Sequence, residues 1–250
     1  MIDNKSSAAL TNGKYVGKLK LNYVIYFYLP IILLTPAYTY YMAVKHKQEP
    51  PFPHATVTNT ACHYPQATVF RWTMTSAAGF LVLIFHVVFR FYEKEAKKYQ
   101  YPGSTYAYMY WPTLLSVIGY MAAISTIDIG GTGTIHGAGA VYFFICLYFL
   151  VVNMTVISRS MRRWDSRFMS KCSLLQKILV ATYLSIIWVY CIVGLISEAL
   201  TSDKPNDDDI YIVIVEWNLV YAGLIWILCF ISDMKNINLV LVDNRSSQNK

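Results

Sequence analysis

The chain is poor in charged residues. Aspartate, glutamate, lysine and arginine make up 14% of its 250 residues, whereas a soluble globular domain carries about 25%. Hydrophobic residues make up 56%, which argues against a water-soluble enzyme. It also argues against a disordered chain, because disorder needs low hydrophobicity and high net charge. The apolar residues are grouped in blocks of about 20, the length that a helix needs to cross a bilayer.

The chain also lacks the short motifs of cofactor-dependent enzymes. It has no Walker phosphate loop, no Rossmann glycine fingerprint, no HExxH zinc motif and no GxSxG nucleophile elbow. The glycine-rich stretch 130–133 follows an apolar block rather than a strand, so we expect a tight turn there. His54, Cys62 and His63 share one polar loop, but their spacing fits no standard zinc site. We therefore expect neither a cofactor nor a metal.

Cysteine is scarce as well. The five cysteines are too few and too scattered to indicate a disulfide framework. Three of them lie inside apolar blocks and are typical of small core residues. Cys172 lies in a basic loop, and Cys62 is alone in a polar one. We expect Cys62 to be a free thiol or to pair with another chain.

Six apolar blocks predict an all-α, polytopic membrane protein, a bundle of six transmembrane helices. The predicted spans are Tyr23–Val44, Trp72–Tyr92, Tyr108–Ile127, His136–Ile157, Ile178–Ile196 and Ile210–Ser232. They divide the chain into an N-terminal tail (1–22), a six-helix transmembrane domain (23–232) and a C-terminal tail (233–250).

Lysine and arginine are distributed unevenly between the two sides of these spans. All but four of the 21 lie in the two tails and in the second and fourth connecting loops. By the positive-inside rule, both termini are predicted to be cytosolic. The net charge of +7 then reflects topology, and we expect no nucleic-acid partner. The basic fourth loop, Arg159 to Lys177, is either a plain topology determinant or a surface that attracts anionic cytosolic lipids.

Four ionisable side chains are predicted to lie at one level, near the luminal ends of four spans. His136 begins the fourth span, Arg71 precedes the second and Asp128 follows the third. Glu216 lies six residues into the sixth span, roughly 9 Å below the luminal end at 1.5 Å per residue. Ionisable residues within a membrane are costly, so they indicate functional sites.

We predict that His136 and Glu216 form a catalytic proton-transfer pair and that Arg71 and Asp128 bind a lipid headgroup. Glu216 is expected either to hold a proton or to pair with His136 or Arg71, because a carboxylate at that depth should not stay charged and unpaired. The alternative is structural: interfacial anchors for Arg71 and Asp128, a helix-start hydrogen bond for His136 and an interhelical one for Glu216.

Several short motifs stand out when they are taken together. They are Pro53 with Thr56, Pro65-Gln66 with Val69-Phe70-Arg71, His136-Gly-Ala-Gly139-Ala140, Glu216-Trp217, and Asp233 with Ile237-Asn-Leu239. As a set, and over nearly the whole chain, they resemble the six-span family that joins the post-GPI-attachment factor of lipid remodelling with the DRAM-type autophagy modulators.

The resemblance implies two alternative functions. In the remodelling branch the protein would act in the Golgi or ER on lyso-GPI carried by GPI-linked proteins, restoring a saturated acyl chain directly or as an assisting factor. His136 would then be the general base, Glu216 its orienting partner, and Arg71 the phosphate ligand. In the DRAM branch it would be a non-enzymatic organiser of lysosomal or plasma membranes, acting in autophagy or phosphoinositide control. Its partners would be anionic phospholipids.

The chain departs from the remodelling factors of animals at several positions. Ala78-Gly79 replaces a Pro-Arg pair, Ile227 lies near the position of a histidine, and no acid precedes Asp128 in the third span. The fifth loop lacks the family's cysteine, which leaves Cys62 without a partner. These departures favour the organiser and leave the enzyme assignment open. The segment Pro65–Arg71 and the polar N-terminal tail favour the remodelling branch, which is preferred.

Overall fold

The chain folds into a bundle of long α-helices. The computed structural model describes residues 14–98, 105–127, 133–166, 169–201, 210–234 and 238–243. Its helices are α1 (Leu21–Lys45), α2 (Val57–Cys62), α3 (Gln66–Lys98), α4 (Thr105–Ser125), α5 (Gly133–Trp164), α6 (Lys171–Thr201), α7 (Ile210–Leu228) and α8 (Ile231–Met234), and its strands are β1 (Lys14–Lys20) and β2 (Asn238–Asp243).

This architecture confirms the predicted all-α class and the polytopic membrane character. Five of the described helices are long and apolar enough to cross a membrane, and α4 adds a shorter apolar segment, Met109–Ser125. The whole of α4 has 21 residues, which gives a length of about 31 Å and matches a hydrocarbon core of about 30 Å. The protein is therefore an integral, multi-pass membrane protein.

Several helices extend beyond the apolar blocks that predicted them. The second span was predicted to end at Tyr92, but α3 continues to Lys98. Its last turns are held by ion pairs of Glu93 with Arg90 and Lys97, each with a nitrogen–oxygen distance of 3.0 Å. Such pairs at spacings of three and four residues stabilise an exposed helix. The apolar pattern therefore marks where a helix leaves the hydrocarbon, and not where the helix ends.

A small antiparallel sheet joins the two ends of the chain. β1 pairs with β2, so that Lys14 lies opposite Asp243 and Lys20 opposite Asn238. The start of α1 and the end of α7 consequently lie at the same end of the bundle, as an even number of crossings requires. Both strands lie in the predicted tails, and neither is long enough to show a pattern in the sequence without its distant partner.

The closest helix packing is between α4 and α5. A Cβ atom added to Gly139 would lie 2.9 Å from the carbonyl oxygen of Gly119 and 2.8 Å from the backbone nitrogen of Ala123. Only glycine permits this backbone approach, and small residues at helix interfaces are typical of membrane bundles. The contact places the second turn of α5 beside the last two turns of α4.

Most basic residues of the predicted fourth loop lie on the ends of α5 and α6, and one of them, Lys177, is buried. Lys177 belongs to the second turn of α6, its side chain is fully buried, and it forms an ion pair with Asp233 of α8. Its ammonium group also donates to the Ser173 hydroxyl at 2.8 Å and lies 4.6 Å from the ring centre of Phe230. Of the two alternatives for the basic loop, the lipid-attracting surface therefore does not include Lys177, whose burial the carboxylate of Asp233 makes tolerable.

Candidate functional site

The loop between α1 and α3 folds against the end of the bundle and carries the short helix α2. The indole nitrogen of Trp217 in α7 donates to the carbonyl oxygen of Ala55 at 2.9 Å. Thr56 caps α2, since its hydroxyl accepts from the backbone N–H of Asn59 at 3.0 Å, as an N-cap threonine does. These two contacts fix the first turn of α2, which contains Thr58, against α7.

Thr58 lies between the two residues that were predicted to form a proton-transfer pair. Its hydroxyl donates to Oε1 of Glu216 at 2.6 Å, and its backbone N–H donates to the same oxygen at 3.0 Å. Its Oγ1 is also 3.1 Å from Nε2 of His136. The other ring nitrogen of His136, Nδ1, is 2.8 Å from the carbonyl oxygen of Ala123 in α4. One continuous series of hydrogen bonds therefore connects α2, α4, α5 and α7. We refer to Thr58, His136 and Glu216 as the hydrogen-bonded chain.

The hydrogen bonds determine where protons reside in this chain. A carbonyl oxygen can only accept, so Nδ1 of His136 carries a proton, and Nε2 is the nitrogen that faces Thr58. When Nε2 is unprotonated, it can accept the Thr58 hydroxyl proton while Glu216 accepts the Thr58 backbone N–H. When an extra proton is present, it resides on His136 or on Glu216 without any heavy atom moving. The arrangement can therefore store and transfer a single proton.

The close packing of α4 on α5 explains why His136 reaches Ala123. Gly139 lies one turn after His136 on α5, and its contact with Gly119 brings the two backbones together. The His136-Gly-Ala-Gly139 motif thus combines the titratable side chain with the glycine that allows it to be oriented. A histidine whose second nitrogen is fixed by a hydrogen bond has a defined tautomer.

This hydrogen-bonded chain lies at one end of an apolar cavity of about 160 Å³. The wall is formed mainly by α3, α4, α5 and α7, and its residues include Phe70, Met74, Tyr120, Phe143, Leu219 and Trp226. Along α7, Glu216 and Trp226 are separated by ten residues, or about 15 Å at the rise of an α-helix. The cavity is therefore long and mostly apolar, and its histidine and its carboxylate lie at one end.

The structure brings together two of the four predicted site residues. His136 and Glu216 do not contact each other directly, because Thr58 stands between them, and Thr58 replaces His136 and Arg71 as the direct partner of Glu216. Arg71 is half-buried in α3, next to Phe70 of the cavity wall, and is not among the described residues that line the cavity. Asp128 lies outside the described residues. The headgroup role of both therefore stays a prediction.

Thr58 was missed in the sequence analysis. Thr56 belongs to one of the motifs that carry the family resemblance, and a threonine before a short helix is typical of an N-cap. With only six residues, α2 is too short for its sequence to indicate which side chain faces the bundle. The contact with Glu216 joins residues 158 positions apart, so only the folded structure reveals it.

The histidines and the cysteine of the same loop do not converge. His63 pairs through Nε2 with Oε1 of Glu49 at 2.7 Å, while the Cys62 thiol donates to the carbonyl of Ile127. Within the described ranges, no three histidine, cysteine or acidic side chains lie close enough to hold a metal ion. All five cysteines are free thiols.

Cys62 should react unusually slowly with thiol reagents. Burial, together with the nearby carboxylates of Glu49 and Glu216, raises the pKa of Cys62 from 9.0 to about 11. Because the thiolate is the reacting species, alkylation at pH 8 in detergent should be about 100-fold slower than that of an unstructured cysteine peptide. The rate should rise about tenfold per pH unit up to roughly pH 11.

Peptide mass spectrometry can follow the alkylation of Cys62 and of exposed Cys172 in the same sample. Glu49→Gln should speed the reaction of Cys62, because it removes one of the two charges that oppose the thiolate. Equal rates for Cys62 and Cys172 at pH 8 would contradict the burial of the Cys62 thiol.

Comparison with known proteins places the chain in a family. No curated protein and no solved structure matches it. The model of the Frag1/DRAM/Sfk1/Cwh43P N-terminal domain matches residues 21–237, which run from the start of α1 to beyond α8. The matched region contains Thr58, His136, Glu216 and the buried pair of Lys177 with Asp233. The chain therefore belongs to the Frag1/DRAM/Sfk1/Cwh43 family of membrane proteins.

Proposed function

We propose that the protein remodels the lipid of GPI anchors by transferring an acyl chain to lyso-GPI on GPI-linked proteins. The observation that carries this proposal is the hydrogen-bonded chain of Thr58, His136 and Glu216 at the polar end of a long apolar cavity. In this proposal the apolar walls hold the acyl chain, and the ester at its end lies beside the imidazole.

The geometry suits acyl transfer in three respects. Nε2 of His136 can accept a proton from a hydroxyl group, because Nδ1 is committed to the Ala123 carbonyl. That carbonyl also stabilises the imidazolium that forms. Glu216 holds the α2 backbone through the Thr58 N–H at 3.0 Å, which keeps the loop in position, and its negative charge, unlike an amide, stabilises the imidazolium on the other side of Thr58. General-base catalysis of this kind contributes roughly 100- to 10,000-fold in rate.

The orientation supports a luminal site. Nearly all lysines and arginines lie at the opposite end of the predicted spans, so we place both tails, 1–22 and 233–250, in the cytosol and the site on the luminal side of the Golgi or ER membrane. GPI-linked proteins are on that side. Arg71 and Asp128 would there bind the lipid phosphate headgroup.

A cellular experiment tests the proposal. In cells that lack the native protein, Glu216→Gln should leave protein level and trafficking normal while lyso-GPI accumulates and saturated chains are lost from the anchors. Glutamine keeps the shape and accepts the Thr58 hydrogen bonds but cannot titrate. His136→Ala should cause the same loss, and the double variant should be no worse than either single one, because residues that act as one unit are not additive.

The matched control is Glu49→Gln, which makes the same change of carboxylate to amide in the loop that carries Thr58, at a residue that pairs with His63 and lies outside the hydrogen-bonded chain. Its anchor lipids, measured by mass spectrometry of GPI-linked proteins, should match those of the wild type. Normal anchor lipids in cells that carry only Glu216→Gln would contradict the proposed function.

In that event the alternative is a non-enzymatic membrane organiser of the DRAM type in lysosomal or plasma membranes. Arg159 and Arg163 at the end of α5 and Lys171 at the start of α6 are exposed. On the cytosolic side, they would attract anionic lipids at about 1 kcal/mol per basic residue. Their replacement would then impair function, while changes at Glu216 would not.

A further inference from the structure

We propose that the Thr58 hydroxyl is the nucleophile that carries the acyl group as a covalent ester between donor and acceptor. This inference rests on the proposed acyl transfer and names the residue and the donor class. Thr58 lines the cavity together with His136 and Glu216, so its hydroxyl is placed where the reacting end of a lipid would lie.

The geometry around Thr58 is that of an activated hydroxyl. A nucleophile of this kind needs a base within about 2.6–3.2 Å, and the base needs a third group that orients it. The Thr58 Oγ1 is 3.1 Å from Nε2 of His136, and the Ala123 carbonyl holds Nδ1 at 2.8 Å. All three components are present, and they come from three different helices.

Other threonines of the bundle use their hydroxyls differently. Thr35, Thr39, Thr60 and Thr113 each donate to a backbone carbonyl three or four residues earlier, at 2.8–2.9 Å. Such local bonds satisfy a hydroxyl in a helix without any role in chemistry. The Thr58 hydroxyl instead contacts Glu216 of α7 and His136 of α5. The Thr58 backbone N–H also donates to the Glu216 carboxylate.

The reaction balances without a cytosolic acyl donor. The Thr58 hydroxyl, which donates to Oε1 of Glu216 at 2.6 Å in the structure, first turns its proton to Nε2 of His136, 3.1 Å away. Thr58 Oγ1 then attacks the ester carbonyl of a glycerophospholipid in the same leaflet, and its proton passes to His136. The bond from that carbonyl to the glycerol oxygen breaks, and this oxygen takes the proton from His136, leaving a lysophospholipid and acyl-Thr58. The hydroxyl of lyso-GPI then attacks acyl-Thr58, its proton passes through His136, and the Thr58 oxygen recovers it as the leaving group. One ester is broken and one is formed, with no change of oxidation state.

Labelling of the purified full-length protein tests this route. In vesicles of phosphatidylcholine with an alkyne-tagged acyl chain and no acceptor, the peptide that contains Thr58 should gain up to one acyl chain per protein. Lysophosphatidylinositol, added as the acceptor, should remove the label and become acylated. Thr58→Val should lose labelling and reduce transfer by at least about 100-fold. Thr58→Cys should form a thioester that neutral hydroxylamine cleaves, whereas the threonine ester survives.

The matched control is Thr60→Val in the same short helix, which should keep the label on Thr58. Two results together would overturn the covalent route and leave the proposed transfer intact. They are acylation of lysophosphatidylinositol without any label on Thr58, and transfer that is retained in Thr58→Val. Absence of both label and transfer in wild-type protein would overturn both. Should Thr58→Val fail to fold, the hydroxylamine sensitivity of Thr58→Cys decides the matter alone.

Discussion

Replacement of Lys177 by alanine should destabilise the protein by about 3–5 kcal/mol, because it leaves a buried carboxylate without its cation. The Lys177 side chain is fully buried, and that of Asp233 is 6% exposed. The ammonium also donates to Ser173 at 2.8 Å and to the carbonyl of Cys229 at 3.3 Å. The midpoint of thermal unfolding in detergent should fall by about 6–20 °C, at about 2–4 °C per kcal/mol for a chain of this size.

Two controls separate the buried pair from a general effect of mutation. Lys171→Ala, at an exposed position of the same helix, should change stability by less than about 0.5 kcal/mol. The double variant Lys177→Met with Asp233→Leu should recover most of the loss, because an apolar pair of similar volume commonly replaces a buried ion pair without destabilisation. An unfolding midpoint for Lys177→Ala equal to that of the wild type would show that water reaches Asp233.

The apolar blocks predicted the fold well because the membrane imposes it. A backbone in hydrocarbon must satisfy its hydrogen bonds within the segment, so a long apolar run has few options other than a helix. The ends of the helices were less predictable. For example, α3 continues to Lys98 because ion pairs stabilise its last turns, and charged residues do not appear in a hydrophobic pattern. The sheet of β1 with β2 depends on strands at opposite ends of the chain, which no local pattern reports.

The charge pattern predicts on which side of the membrane each loop lies, but not the surroundings of an individual residue. The positive-inside rule groups Lys177 with the neighbouring basic residues of the loop. The rule counts only lysine and arginine, so it takes no account of Asp233 on α8. The buried pair forms only when α6 and α8 pack. Conversely, the cost of placing Glu216 within the membrane predicted a bound proton or a pairing with His136 or Arg71, whereas the residue that contacts the carboxylate is Thr58.

The candidate site was predicted in part for the same reason. His136 and Glu216 were identified by the cost of placing ionisable groups in a span, and each contacts Thr58 in the structure. A threonine carries no such cost, so nothing in its position distinguished Thr58 from Thr56 or Thr60. The close packing at Gly139 was not predicted either, because the sequence does not show which glycine contacts the backbone of another helix.

Alanine at Gly139 should disrupt both the packing of α4 on α5 and the function. Its Cβ would lie 2.8 Å from the Ala123 nitrogen and 2.9 Å from the Gly119 oxygen, both of them backbone atoms. The helices must therefore separate, at a cost of about 1–3 kcal/mol for overpacking. Separation also stretches the hydrogen bond from His136 to Ala123, so acyl transfer to lysophosphatidylinositol should fall more than the amount of folded protein does.

The same helix offers a closely matched control. Gly137 is two residues away in the same motif, and a Cβ there would meet no atom within 4 Å. Gly137→Ala should therefore be neutral or stabilise the helix by up to about 1 kcal/mol. Gly119→Ala should resemble Gly139→Ala, and the double variant should destabilise by less than the sum, because contacts shared by two residues are not additive. Equal unfolding midpoints and transfer rates for Gly137→Ala and Gly139→Ala would refute the role assigned to this helix contact.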